Sequence, residues 1–194
     1  MSEKTGNNAH AGKTLDAAEF EVPLDEVQIG PLYKKETPQV VKILSSAFNK
    51  AATLVREALA DSFAADQPPI TFVASIHDKV IGVIRCVNYP EQPLPTYSIY
   101  QLAVDPAFRQ HGIGHALTGH VEDYIAQGLA SGQQARITLV DETKKENPSS
   151  AFYENMGYRP EQKPRTNKEG LPVLVKYVDK KTDVKQKSAP SPKN

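Results

Sequence analysis

One cysteine, Cys86, in 194 residues excludes an internal disulfide framework. It sits in the apolar run Val80 to Val87, which points to a small buried hydrophobe rather than a reactive thiol. An excess of either charge is also missing, because 23 Lys and Arg balance 23 Asp and Glu. That balance removes any global electrostatic case for nucleic acid or an anionic membrane surface. No stretch approaches the roughly 20 apolar residues of a membrane span, and no apolar secretory core opens the chain. The expectation is a cytoplasmic protein with no nucleic-acid and no membrane partner. His111 and His115 stand four apart at an expected helix start, with His120 beyond, but no His-Glu-x-x-His pattern or cysteine supplies a third zinc ligand. No metal is therefore expected.

A hydrophobic content of 39% over this length suits one domain with a sizeable core. Residues 1–25 are polar and acidic apart from isolated apolar positions, and residues 179–194 are rich in Lys, Ser and Pro. Both read as flexible tails around a domain at 26–178. Within it, Val27 to Lys34 reads as a strand, and Thr37-Pro38 as a helix start with Thr as cap. Val41, Leu44, Ala47 and Phe48 share one helical face, and a second helical pattern runs from Ala51 to Phe63. Ile70 to Ile76 and Val80 to Val87 form a hairpin pattern about His77-Asp-Lys79, where His77 is a turn residue. Three prolines between Asn88 and Pro95 make a stiff loop, either overhanging a binding site or connecting strands over the surface.

The most informative stretch follows. Tyr97 to Val104 is aromatic and β-branched, Asp105-Pro106 stops it, and Gly112 and Gly114 open a helix running to about Leu129. Ile113, Leu117, Val121, Tyr124 and Ile125 keep the apolar spacing of that helix, with His115, Glu122 and Asp123 facing away. Glycines at a helix start let an anion approach backbone amides that lack intrahelical partners, where the peptide dipoles add partial positive charge. Arg136 to Val140 is the next strand, parallel to Tyr97–Val104 if the intervening helix makes the usual crossover. A helix from Asn147 and two closing strands, at Tyr158-Arg-Pro and Leu171 to Tyr177, complete the chain.

Arg109-Gln-His-Gly112-Ile-Gly114 resembles the Arg/Gln-x-x-Gly-x-Gly/Ala signature of the GCN5-related N-acetyltransferases (GNAT). Asn147-Pro-Ser-Ser-Ala151-Phe-Tyr153-Glu-Asn-Met-Gly157-Tyr158 is similar to their second signature, in order and suitably spaced. The resemblance covers roughly residues 26 to 178. It implies an α+β fold in α/β/α layers, with a mixed, mostly antiparallel sheet whose splayed parallel central strands bind acetyl-CoA as cosubstrate. The cofactor contacts implied are Leu102, Ala103, Val104, Arg109, Gln110, His111, Gly112, Ile113, Gly114, His115, Asn147, Ala151 and Tyr153.

The implied reaction moves an acetyl group from acetyl-CoA to a primary amine of a small molecule or protein, by direct attack in a ternary complex. By resemblance Tyr153 is the general acid for the departing thiolate; a phenol with an ordinary pKa near 10 stays protonated at neutral pH. Many members carry a glutamate on or near the central strand, whereas Tyr97 to Val104 contains no carboxylate. Gln101 and Tyr100 are the candidates to orient a water that takes the amine proton, with Asp141 and Glu142 as distant reserves. The missing carboxylate supports one alternative, a catalytically silent acetyl-CoA-binding sensor. A dinucleotide-binding unit is a weaker rival, because Leu117 stands where that fingerprint wants Gly or Ala. The chain is expected to be a monomer or homodimer.

Overall fold

The computed structural model of the protein describes residues 24–64, 68–142, 151–161 and 164–180. Its strands are β1 (Val27–Pro31), β2 (Ile70–Ile76), β3 (Lys79–Tyr89), β4 (Thr96–Val104), β5 (Gln134–Val140), β6 (Arg159–Pro160) and β7 (Val173–Asp179). Its helices are α1 (Thr37–Phe48), α2 (Ala52–Ala64), α3 (Ile113–Gly128) and α4 (Phe152–Asn155). The strands form one seven-stranded sheet in the order β1-β2-β3-β4-β5-β7-β6. All neighbouring pairs are antiparallel except β4 and β5.

Helices cover both faces, which gives the α/β/α layering. On one face Val40, Val41, Leu44, Val55 and Leu59 of α1 and α2 pack on Val73, Val83 and Ala103. On the other, Ile113, Leu117, Val121 and Ile125 of α3 pack on Phe72, Ile81, Ile84, Ile137 and Leu139. Leu44 and Leu117 are fully buried, and each such side chain stabilises the fold by about 1.5–3 kcal/mol. β3 is buried from Val80 to Cys86, the near-continuous apolar run of a strand covered on both sides.

Several local features differ from the sequence pattern. β1 stops at Pro31, and a 3-10 turn at Lys34–Glu36 leads directly into α1. The position before α1 is Glu36, which makes no side-chain cap; Thr37 is already helical, and Glu36 instead accepts the Tyr33 N–H at 2.7 Å. The two-residue turn of the β2–β3 hairpin contains His77, with φ of 53°. β3 continues through Asn88 and Tyr89, so the proline-rich loop begins two residues later than its composition suggested. On α3, Glu122 turns inward: its carboxylate accepts a hydrogen bond from the Lys176 ammonium of β7 at 2.6 Å. Tyr124 is 51% exposed and meets Phe72 edge to face. Among the described residues no helix is long and apolar enough to cross a membrane.

The parallel pairing is short. Its register runs from Thr96↔Arg136 to Ile99↔Leu139, and β4 then continues to Val104 on the β3 side alone. The two central strands therefore part at Ile99. On the β3 side the register jumps from Arg85↔Gln101 to Cys86↔Ile99, so Tyr100 is a bulge residue without a cross-strand partner, which bends β4 and re-aims its side chains.

Candidate active site

Backbone geometry builds the first half of the site. The Asp105 carboxylate accepts the Ala107 N–H at 3.0 Å, starting a 3-10 turn at Pro106–Phe108, and Arg109 Nε donates to the Val104 carbonyl at 3.2 Å. Gln110 and Gly112 then take left-handed conformations, φ 65° and 77°, reversing the chain so that α3 starts beside the end of β4. The first intrahelical bond runs from the Ala116 N–H to the Gly112 carbonyl at 3.0 Å. The amides of Ile113, Gly114 and His115 precede it and keep their donors for an anion. They border a cavity of about 850 Å³ that also takes in Leu102, Ala103, Val104, Arg109, Gln110, Phe48, Phe152 and Tyr153.

Two glycines set this helix in place for reasons of contact. A Cβ at Gly82 of β3 would lie 3.0 Å from Leu117 Cδ1 and 3.1 Å from Ile113 Cγ2, so a bare backbone there lets the first turns of α3 sit close on the sheet. A Cβ at Gly114 would lie 3.1 Å from Phe152 Cζ. Gly114 is thus constrained by a ring of α4 as well as by any bound anion. His115 meets the same ring edge to face at 4.5 Å, Phe152 meets Tyr153 at 4.8 Å, and Tyr153 meets Tyr158 at 5.8 Å. This aromatic chain ties the anion-facing helix start to Tyr153.

Side chains build the second half, a cavity of about 200 Å³ where β4 and β5 part. Ser98, Tyr100, Gln101, Val140 and Glu142 line it. Phe48, Leu102, Glu142 and Tyr153 line both cavities, so Tyr153 stands where the two meet. Its ring is 7% exposed; burial, followed by the Asp141 and Glu142 carboxylates, pushes its phenol above the ordinary range. It therefore remains a proton donor throughout the neutral range. Burial likewise pushes Tyr100 up to about 12, against the opposing pull of Arg85.

Arg85 has no counterpart in the sequence reading. It lies beside the second cavity, 1% exposed, and among the described residues no carboxylate lies within ion-pair distance of it. Its guanidinium donates to Gln101 Oε1 at 3.0 Å, to the Ala58 carbonyl at 2.9 Å and to Ser62 Oγ at 3.0 Å, and stands 5.0 Å from the Tyr100 ring centre. Taking such a charge out of water costs several kcal/mol. Three charge-assisted bonds at about 1.5–3 kcal/mol each offset that cost. Burial lowers its pKa, with Tyr100 and Asp61 opposing; a guanidinium nevertheless stays charged in proteins.

The structure gathers most residues expected at the site. Leu102, Ala103, Val104, Arg109, Gln110, Gly112, Ile113, Gly114, His115 and Tyr153 line the larger cavity, and Tyr100 and Gln101 the smaller. His111 lies in the same loop with Nδ1 2.7 Å from the Arg109 carbonyl. Ala151 immediately precedes α4, where its carbonyl accepts the Asn155 N–H at 2.8 Å, and lines neither cavity. Asn147 falls outside the described residues. Glu142, a distant reserve by sequence, is the carboxylate that lines both cavities. Among the described residues no group of three or more His, Cys, Asp or Glu side chains is placed to hold a metal.

The pattern of the Acetyltransferase (GNAT) family fits residues 37–158. The chain belongs to the GNAT acetyltransferase family. Solved structures agree on the fold. A protein assigned to the GNAT family from Desulfovibrio desulfuricans superposes with a TM-score of 0.60 at 19% identity, covering 80% of this chain and 99% of its own. The ribosomal-protein-S18-alanine N-acetyltransferase of Escherichia coli gives 0.53 at 16% identity over 78% of this chain and 92% of its own. Arabidopsis thaliana Naa50, solved with the bisubstrate analogue CoA-Ac-MVNAL, gives 0.55 at 20% identity over 78% and 98%. No curated protein sequence matches the chain.

Proposed function

We propose that this GNAT member is an N-acetyltransferase that transfers an acetyl group from acetyl-CoA to a primary amine of a small molecule or protein, by direct attack within a ternary complex. The observation that carries the reading is the position of Tyr153 at the junction of the two cavities. One cavity is bordered by helix-start amides suited to phosphates, and the other is lined by polar side chains suited to an amine. The larger cavity's residues fit the cosubstrate: the left-handed Gly112 turn frees the amides of Ile113, Gly114 and His115, and Arg109 adds a cation. The solved neighbour bound to a CoA-peptide analogue supports the same assignment.

Acetyl-CoA, when bound, supplies an acyl group activated as a thioester. This chain's part is to hold the two reactants in line, exclude water and move two protons. As the amine nitrogen bonds to the carbonyl carbon and the C–S bond breaks, the Tyr153 phenol gives its proton to the departing sulfur. The proton lost by the amine passes to Glu142 through a water in the smaller cavity, which Tyr100 and Gln101 help to hold. Glu142 is the carboxylate that the central strand lacks.

A thiol-release screen with acetyl-CoA across amine classes tests the reading, with amide product identified by mass spectrometry. Turnover with at least one amine class is expected. Tight acetyl-CoA binding with no transfer to any amine would favour the silent sensor instead.

A further inference from the structure

We infer that Arg85 is a positioning residue that makes Gln101 a hydrogen-bond donor to the acceptor, and so fits the site to the α-amino terminus of a peptide rather than to a polyamine. The inference rests on the transferase reading above and narrows its acceptor. A guanidinium has donors only. Because Arg85 donates to the Gln101 side chain at 3.0 Å, the amide oxygen must face Arg85 whatever else binds, and the amide NH2 is turned the other way. That NH2 takes no partner among the described residues, while the side chain lines the cavity beside Tyr153. The arginine is itself held from behind by Ala58 and Ser62 of α2 and by the Tyr100 ring, so it cannot swing away to release the amide.

An amide NH2 held in this way seeks an oxygen. A peptide amino terminus has one, the carbonyl of its first residue, two bonds from the carbon bearing the reacting nitrogen. A polyamine or diamine has only methylenes and further nitrogens that are cationic at neutral pH. Charge points the same way. Behind Gln101 the buried Arg85 carries a positive charge, which disfavours a second cationic nitrogen close to that amide, while Glu142 lines the cavity itself. An α-amine, with an ordinary pKa near 7.7–8.0, presents its neutral form far more readily than an alkylamine near 10.4.

The test measures binding, so that it does not depend on chemistry. Full-length protein loaded with CoA is titrated calorimetrically with a short peptide of free amino terminus and with a diamine of similar length. The peptide should bind more tightly. Gln101→Leu removes the donor and should weaken the peptide about three- to tenfold, the usual worth of one hydrogen bond, with a smaller effect on the diamine. Gln101→Glu keeps a partner for Arg85 but presents oxygen to the cavity, so it should weaken the peptide and strengthen the diamine. Arg85→Lys retains charge but only part of the anchoring, and should narrow the peptide preference, with circular dichroism showing an intact fold. A merely structural role would shift both ligands together. A diamine that binds wild-type protein as well as the peptide, equal weakening of both ligands in Gln101→Leu, or no peptide binding at all would overturn the inference. Peptide binding as described, without acetyl transfer when acetyl-CoA replaces CoA, would instead overturn the transferase reading alone.

Discussion

The two cavities that meet at Tyr153 are built from different materials. The anion-facing wall of the larger is a contiguous piece of backbone: the end of β4, one turn with two left-handed residues, and the first amides of α3. The smaller is made by side chains that the fold gathers from α1, β4, β5 and α4, with Arg85 of β3, held by α2, behind Gln101. Backbone amides recognise a phosphate without regard to neighbouring side chains, so the first cavity suits a ligand that never varies. A side-chain cavity can be altered one residue at a time without moving the sheet. On the proposed function, generic cosubstrate recognition and acceptor choice are thereby separated.

The contrast is broken most severely by attacking the backbone turn. Gly112→Val places a β-branched residue at φ 77° and misdirects the amides behind it. Losing even two charge-assisted bonds at about 1.5–3 kcal/mol each predicts at least a hundredfold loss of acetyl-CoA affinity by calorimetry, with far-UV circular dichroism preserved. Unchanged affinity would move the phosphate site elsewhere. Tyr153→Phe acts at the junction. It keeps the ring stack and removes the proton donor, so turnover should fall about a hundredfold, the lower end for general acid catalysis because water substitutes in part. Acetyl-CoA affinity should hardly change.

A smaller effect is expected at Gly82, which lines neither cavity. Gly82→Ala forces Leu117 and Ile113 outward from contacts of 3.0 and 3.1 Å, at a cost of about 1–3 kcal/mol. Thermal unfolding should show the loss, and acetyl-CoA affinity should weaken with it because the helix start is displaced. The mildest effect is on alkaline stability. Tyr153 and Tyr158 are buried, and their phenols are pushed above the ordinary range. Above about pH 10 the unfolded chain releases these protons while the folded chain retains them. Stability should therefore fall as pH rises beyond 10, and the fall with pH, followed by denaturant titrations at successive pH values, should be shallower in Tyr158→Phe.

The same contrast decides what could be read from the chain alone. The strand, turn and helix from Tyr97 to Leu129 announce themselves because Asp105, Pro106, Gly112 and the apolar spacing are neighbours in sequence and act through local backbone rules. The hairpin at His77 was legible for the same reason. Arg85 was not, since a lone arginine in an apolar strand gains its meaning only when Ser62 and Gln101, 23 and 16 residues away, close on it. Glu122 fell on the polar side of the α3 pattern, yet Lys176, 54 residues further on, draws it inward. The bulge at Tyr100 and the contact role of Gly82 depend on pairing register and helix approach, which no periodicity carries. Glu142 could have been found by extending β5 past its parallel partner and asking which side chains reach the gap.

The most direct test of the account is a single-turnover experiment with full-length protein in excess over acetyl-CoA and a saturating free-amino-terminal peptide. Wild-type protein should convert bound acetyl-CoA stoichiometrically into N-acetyl peptide and free CoA, and Tyr153→Phe should do so about a hundredfold more slowly. Acetyl-CoA that stays bound and intact with every amine offered, or a Tyr153→Phe transfer rate equal to wild type, would contradict it.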